Sequence, residues 1–134
     1  MLLNKINHIG VAVKSIEAAL PFYKAMGADV NHIEEVPSQK VKTAFIKVGE
    51  TTIELVEATS PESPIAKYLE KNREGLHHIC FEVDDVAACL AELKKAEVPL
   101  IDHEPKVGAH NMLVAFVHPK GNNGVLTELA QYQK

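Results

Sequence analysis

The chain repeats itself. HIGVAVKSIEAALPFYKAMGADV, starting at His8, lies without a gap over HICFEVDDVAACLAELKKAEVPL, starting at His78, at an offset of 78 − 8 = 70 residues. His8/His78, Ile9/Ile79, Val13/Val83, Ala18/Ala88, Leu20/Leu90 and Lys24/Lys94 are identical, while Val11/Phe81 and Ile16/Val86 keep their apolar character. Such a repeat constrains the fold more than composition does, because both copies must form the same elements and bury the same faces. With 134 residues, the chain has room for two copies of one small module and a connection between them.

Each copy reads as a strand followed by a helix. Ile9, Val11 and Val13 alternate with His8, Gly10 and Ala12, the period of a half-buried strand. Ser15 is placed to cap the next helix and Gly27 to end it. Pro21 falls inside that helix and removes a backbone hydrogen bond, which predicts a kink or early break near Glu17 to Pro21. In the second copy Asp84 or Asp85 caps a helix that runs to about Ala96, and Val98-Pro99 ends it.

Strands follow each helix. Val41 to Val48 and Thr51 to Glu57 flank Gly49-Glu50, a hairpin turn. Met112 to His118 and Val125 to Ala130 flank the looser PKGNNG connection, and Ala44-Phe45-Ile46 matches Ala115-Phe116-Val117. Val30 to Val36 and Pro99 to Glu104 are candidate strands ahead of the two hairpins. The expected class is α+β, with βαβββ modules over residues 5–58 and 76–132. Between them, residues 59–75 form a linker helix with Pro64 at its first position, Ile65, Tyr68 and Leu69 as its apolar stripe, and Gly75 closing it.

Composition excludes some functions. A net charge of −4 with scattered lysines offers no basic run for nucleic acid. No apolar stretch approaches a membrane span, and Met1 to Asn7 holds no signal-peptide core. The cysteines, Cys80 and Cys89, form no CxxC pair and read as buried, reduced thiols of a cytoplasmic protein. A chain of this length folds without a metal staple, so a bound metal would be functional.

Among seven histidines, His32, His103, His110 and His118 read by default as surface or core residues. His8 and His78 stand apart because they hold the same place in both copies, each opening a strand. Glu54 in TIELV and Glu128 in LTELA form a matching pair of single carboxylates among apolar residues. Such a carboxylate costs free energy unless it is paired or bound to a metal. Taken together, His8, Glu54, His78 and Glu128 make an N2O2 set for one divalent cation. The set suits Zn, Co, Ni, Mn or Fe(II) without selecting among them. Cys80 should share a side with His78 and reads as a small buried thiol beside the site.

These residues resemble the vicinal oxygen chelate superfamily and, within it, the methylmalonyl-CoA epimerase family. The resemblance spans nearly the whole chain: NHIGVAVKSIEAALPFY, SPIAKYLEKNREGLHHICFEVDDV, IDHEPKVGA and HPKGNNGVLTEL. It implies that the two modules form a curved mixed sheet around a metal cleft, and that His8, Glu54, His78 and Glu128 hold the metal. It also implies interconversion of (2R)- and (2S)-methylmalonyl-CoA through an enolate, an acyl-CoA partner and a homodimer. Glu128 is then a candidate base, and Lys120 a candidate contact for CoA phosphate.

The chain also departs from the family. A glutamate proposed as a base in some epimerases falls at Thr43, a poor base. Ala109-His110-Asn111 replaces a glycine-rich stretch, which makes His110 a candidate acid–base group or substrate contact. Three other readings stay open: a glyoxalase I-like lactoylglutathione lyase, a dioxygenase, which usually carries two histidines and one carboxylate, and a non-catalytic metabolite- or metal-binding module.

Overall fold

The computed structural model describes residues 2–133. The chain is α+β, and its elements run β1 (Leu3–Ala12), α1 (Ile16–Ala25), β2 (Ile33–Val36), β3 (Val41–Val48), β4 (Thr51–Ala58), α2 (Pro64–Lys71), β5 (Gly75–Val83), α3 (Val86–Lys95), β6 (Lys106–Val107), β7 (Met112–Val117) and β8 (Thr127–Tyr132). The order strand–helix–strand–strand–strand occurs twice, with α2 between the copies. The chain divides into two compact units, His8–His77 and Met1–Asn7 with His78–Lys134.

In the His8–His77 unit the strands lie in the order β2-β3-β4-β1. β1 runs parallel to β4, and the other pairs are antiparallel. One face packs on α1 through Val13, Ile16, Ala44, Ile46 and Leu55. The alternate residues, which must point to the opposite face, include His8, Thr43, Glu54 and Val56. At one end of this face α2 packs Ile65, Tyr68 and Leu69 over Ala12, Val41 and Val56.

The other unit repeats the plan as β5-β8-β7-β6, with β5 parallel to β8. Here α3 covers one face through Val86, Cys89 and Leu90 against Val83, Ala115, Val117 and Leu129. The opposite face holds a smaller cluster of Cys80, Met112, Val114 and Ala130. Both cysteines are buried free thiols.

Local signals act as their chemistry dictates. The Ser15 hydroxyl accepts from the Ala18 N–H and the Asp85 carboxylate from the Ala88 N–H, so each helix starts on a side-chain cap. Ser63 caps α2, with Pro64 next to it.

Four expectations need correction. α1 continues through Pro21. Pro21 and Glu17 are both exposed, so the Glu17 carbonyl that loses its partner faces water and the helix does not have to break. The segment Pro99 to Glu104 is not a strand. Leu100 makes a single bridge to Val117, and the edge strand comes later, at Lys106–Val107. The cause is local: Ile101 N–H and Asp102 N–H both donate to the Phe116 carbonyl, which turns the chain rather than extending it.

α2 ends at Asn72, and Gly75, with φ of 147°, opens β5 instead of closing the helix. His8 and His78 lie inside their strands rather than at the first residue. The polar lead-in to β1 shows no apolar alternation, yet it is anchored by side chains: Asn4 donates to Asp84 and Asn7 to Glu82.

Candidate metal and substrate site

The four residues singled out by the repeat form one tight pair in each unit. In the first, parallel pairing sets Gly10 opposite Glu54 and His8 opposite Thr52, so His8 and Glu54 share a face. His8 Nδ1 lies 3.1 Å from Glu54 Oε2. In the second, Cys80 sits opposite Glu128, and His78 Nε2 lies 3.5 Å from Glu128 Oε1. All four side chains are largely withdrawn from solvent, at 10% and 19% exposure in the first pair and 11% and 13% in the second.

These separations suit ligation. Two donors each about 2.1 Å from one ion are about 3.0 Å apart at a right angle and about 3.4 Å apart at the tetrahedral angle. Each His–Glu pair therefore has the spacing of two adjacent ligands on one cation. Imidazole nitrogen with carboxylate oxygen is a donor set for a borderline divalent transition metal.

Strand alternation decides which member of the His77-His78 pair takes part. The His77 ring packs edge-on against Tyr68 of α2, with centroids 4.7 Å apart, while His78 meets Glu128. Cys80, fully buried, lines the His78 face as a core residue.

Around each pair the register repeats as well. Phe45 is opposite Glu54 and Thr43 opposite Val56, with Glu34 of β2 opposite Thr43. In the other unit Phe116 is opposite Glu128 and Val114 opposite Ala130, with Lys106 of β6 opposite Val114. Glu34 and Lys106 thus hold equivalent positions. Glu34 Oε2 is 2.6 Å from His32 Nε2, and the His32 ring is 5.0 Å from that of Phe45. Lys106 Nζ is 3.3 Å from Asp102 Oδ2 and 5.4 Å from the Phe116 centroid. Sequence reading missed both edge groups. The available signal was the repeated Ala-Phe-Ile/Ala-Phe-Val, which marks the strand from which each edge residue is reached.

The remaining candidates are one strand residue and two turn residues. Thr43 is buried within β3. His110 occupies an exposed turn, Ala109–Asn111, with φ of 57°. Lys120 is exposed in the turn Pro119–Asn122, where its N–H donates to His118 Nδ1. Away from the site, burial pushes the Cys89 thiol pKa up, and the charges of Asp85 and Asp84 push it the same way. Among the described residues no helix is long and apolar enough to cross a membrane.

Known proteins are similar to this chain in sequence and fold. A family model described as the Glyoxalase/Bleomycin resistance protein/Dioxygenase superfamily matches residues 7–116. The chain is 42% identical over 131 residues to the mitochondrial methylmalonyl-CoA epimerase of Homo sapiens, covering 96% of this chain and 74% of that protein. It is 42% identical over 133 residues to an ethylmalonyl-CoA/methylmalonyl-CoA epimerase of Cereibacter sphaeroides, covering 97% of this chain and 99% of the relative. A solved structure of methylmalonyl-CoA epimerase in complex with methylmalonyl-CoA and NH4+ superposes with a TM-score of 0.87 at 37% identity, over 97% of this chain and 95% of that one. The chain belongs to the glyoxalase/bleomycin resistance/dioxygenase superfamily and, within it, to the methylmalonyl-CoA epimerase family.

Proposed function

We propose that this protein is an isomerase that interconverts (2R)- and (2S)-methylmalonyl-CoA. The observation that carries the reading is the pair of His–Glu couples, His8–Glu54 and His78–Glu128, at equivalent positions in a chain that aligns end to end with epimerases.

In this reading His8, Glu54, His78 and Glu128 hold one divalent cation. When bound, such a cation supplies Lewis acidity toward the oxygens of a thioester and a carboxylate. Epimerisation requires a carboxylate or imidazole to take the α-proton, leaving its electron pair on the α-carbon and thioester oxygen. A proton then returns to the opposite face. Glu128 is the proposed base. Thr43, whose side chain cannot hold a proton as a carboxylate does, takes no part. His110 is the proposed group for the second face, and its exposed turn leads directly into β7, the strand of Phe116. Lys120, in an exposed turn of Asn and Gly, is the proposed contact for the CoA phosphates. A homodimer, on family analogy, and a reducing cytoplasmic location, supported by the two free thiols, complete the proposal.

The test is proton exchange. Incubated with methylmalonyl-CoA in deuterated water, the metal-loaded protein should place deuterium at the α-carbon and equilibrate the two epimers. Turnover of the methylglyoxal–glutathione adduct with no such exchange would move the protein to the lactoylglutathione lyase reading.

A further inference from the structure

The ligand residue types repeat in the two units, but the charges beside them do not. Both units offer one histidine and one glutamate, and both set a phenylalanine opposite the glutamate. At the next equivalent position one unit carries a carboxylate, Glu34, and the other an ammonium, Lys106. A methylmalonyl thioester is itself unsymmetrical, with an anion at one end of the acyl group and a neutral thioester at the other. Orienting such a molecule calls for unlike charges at equivalent positions of the repeat, and Glu34/Lys106 is one such position.

We infer that Lys106 binds the free carboxylate of the acyl group and makes the site selective for malonyl-type over simple acyl thioesters. The inference rests on the epimerase reading and concerns the same site.

Two contacts position the Lys106 ammonium along this face, and two more tie its neighbours to the strand and to His78. Asp102 Oδ2 lies 3.3 Å from Nζ and also accepts from the Phe116 N–H at 2.8 Å, so the counter-charge is itself tied to the strand. The ammonium stands 5.4 Å from the Phe116 ring centroid, within the range of a cation–π contact. The His78 ring also packs edge-on against Phe116, with centroids 6.1 Å apart. Phe116 therefore neighbours both Lys106 and His78, the histidine paired with Glu128.

An ammonium has three donors, so Asp102 leaves capacity for a second anion. A carboxylate has lone pairs enough to meet both a cation and an ammonium.

The experiment measures binding of methylmalonyl-CoA and propionyl-CoA to the metal-loaded protein and its Lys106→Met, Lys106→Gln and Lys106→Arg variants. The two thioesters share CoA and differ in the carboxylate. Lys106→Met and Lys106→Gln should weaken methylmalonyl-CoA binding by roughly ten- to a hundredfold, the size of a charge-assisted hydrogen bond. Propionyl-CoA affinity should be unchanged, and Lys106→Arg should retain most of the discrimination. Equal losses for both thioesters would mean a contact to CoA phosphate and would overturn the inference, as would no loss for either. The wild-type deuterium exchange separates the two claims: its absence defeats the epimerase reading, whereas the thioester comparison reports on Lys106 alone.

Discussion

Phe116 is the cross-strand partner of Glu128, and the same relationship recurs between Phe45 and Glu54 in the other unit. Antiparallel partners project to the same side of a sheet, so each ring forms a wall beside a carboxylate. The aromatic face lowers local polarity, and a carboxylate there gains from a cationic neighbour. In both units a histidine ring nitrogen lies beside the carboxylate, at 3.1 Å in one and 3.5 Å in the other.

Metal content is the direct check on this arrangement. The purified protein should hold about one divalent ion per chain, and addition of that ion after chelation should raise stability by about 2.7 kcal/mol at a hundredfold excess over its dissociation constant. Elemental analysis of His78→Ala and Glu128→Ala should show the ion lost, while His110→Ala and Lys120→Ala keep it. Unchanged metal in the first two variants would remove these residues from the site.

The ends of α1 and α3 predict a stabilising change. Both helices close with the same pair of backbone bonds: Gly27 to Lys24 and Ala28 to Tyr23, then Glu97 to Lys94 and Val98 to Leu93. The left-handed residue is Gly27 in the first (φ 84°) but Glu97 in the second (φ 59°). A side chain is strained there and glycine is not. Glu97→Gly should raise stability by about 0.5–1 kcal/mol, seen as a higher urea midpoint with an unchanged slope.

Alkaline stability should depend on Cys89. Burial, with Asp85 and Asp84 nearby, raises its pKa in the folded protein, so the thiol stays protonated after the same group in the unfolded chain has ionised. The unfolded chain then binds fewer protons, and unfolding free energy falls with rising pH. This contribution is intact below the ordinary thiol range of about 8.5 and is lost as pH climbs through the raised folded value. Cys89→Ala should shallow the fall in stability between about pH 8 and 10, measured by denaturant titration. An identical slope in both proteins would rule the thiol out as its source.

The amino-acid sequence by itself determined the element order and the four candidate ligands. Strand and helix periods, the Ser15 and Asp85 caps and the Gly49-Glu50 turn are properties of residues a few positions apart, and the ligands stood out because the repeat gave each a counterpart. Tertiary structure alone decided what lay across the strands. That Glu34 meets Thr43, that Lys106 meets Val114, and that Lys106 stands over Phe116 are matters of register between segments distant in sequence, and a shift of one residue would turn every side chain to the other face. Pro21 follows the same division. Its missing N–H could be read from the chain, but whether the orphaned Glu17 carbonyl would find water depended on which side of α1 the folded sheet left exposed.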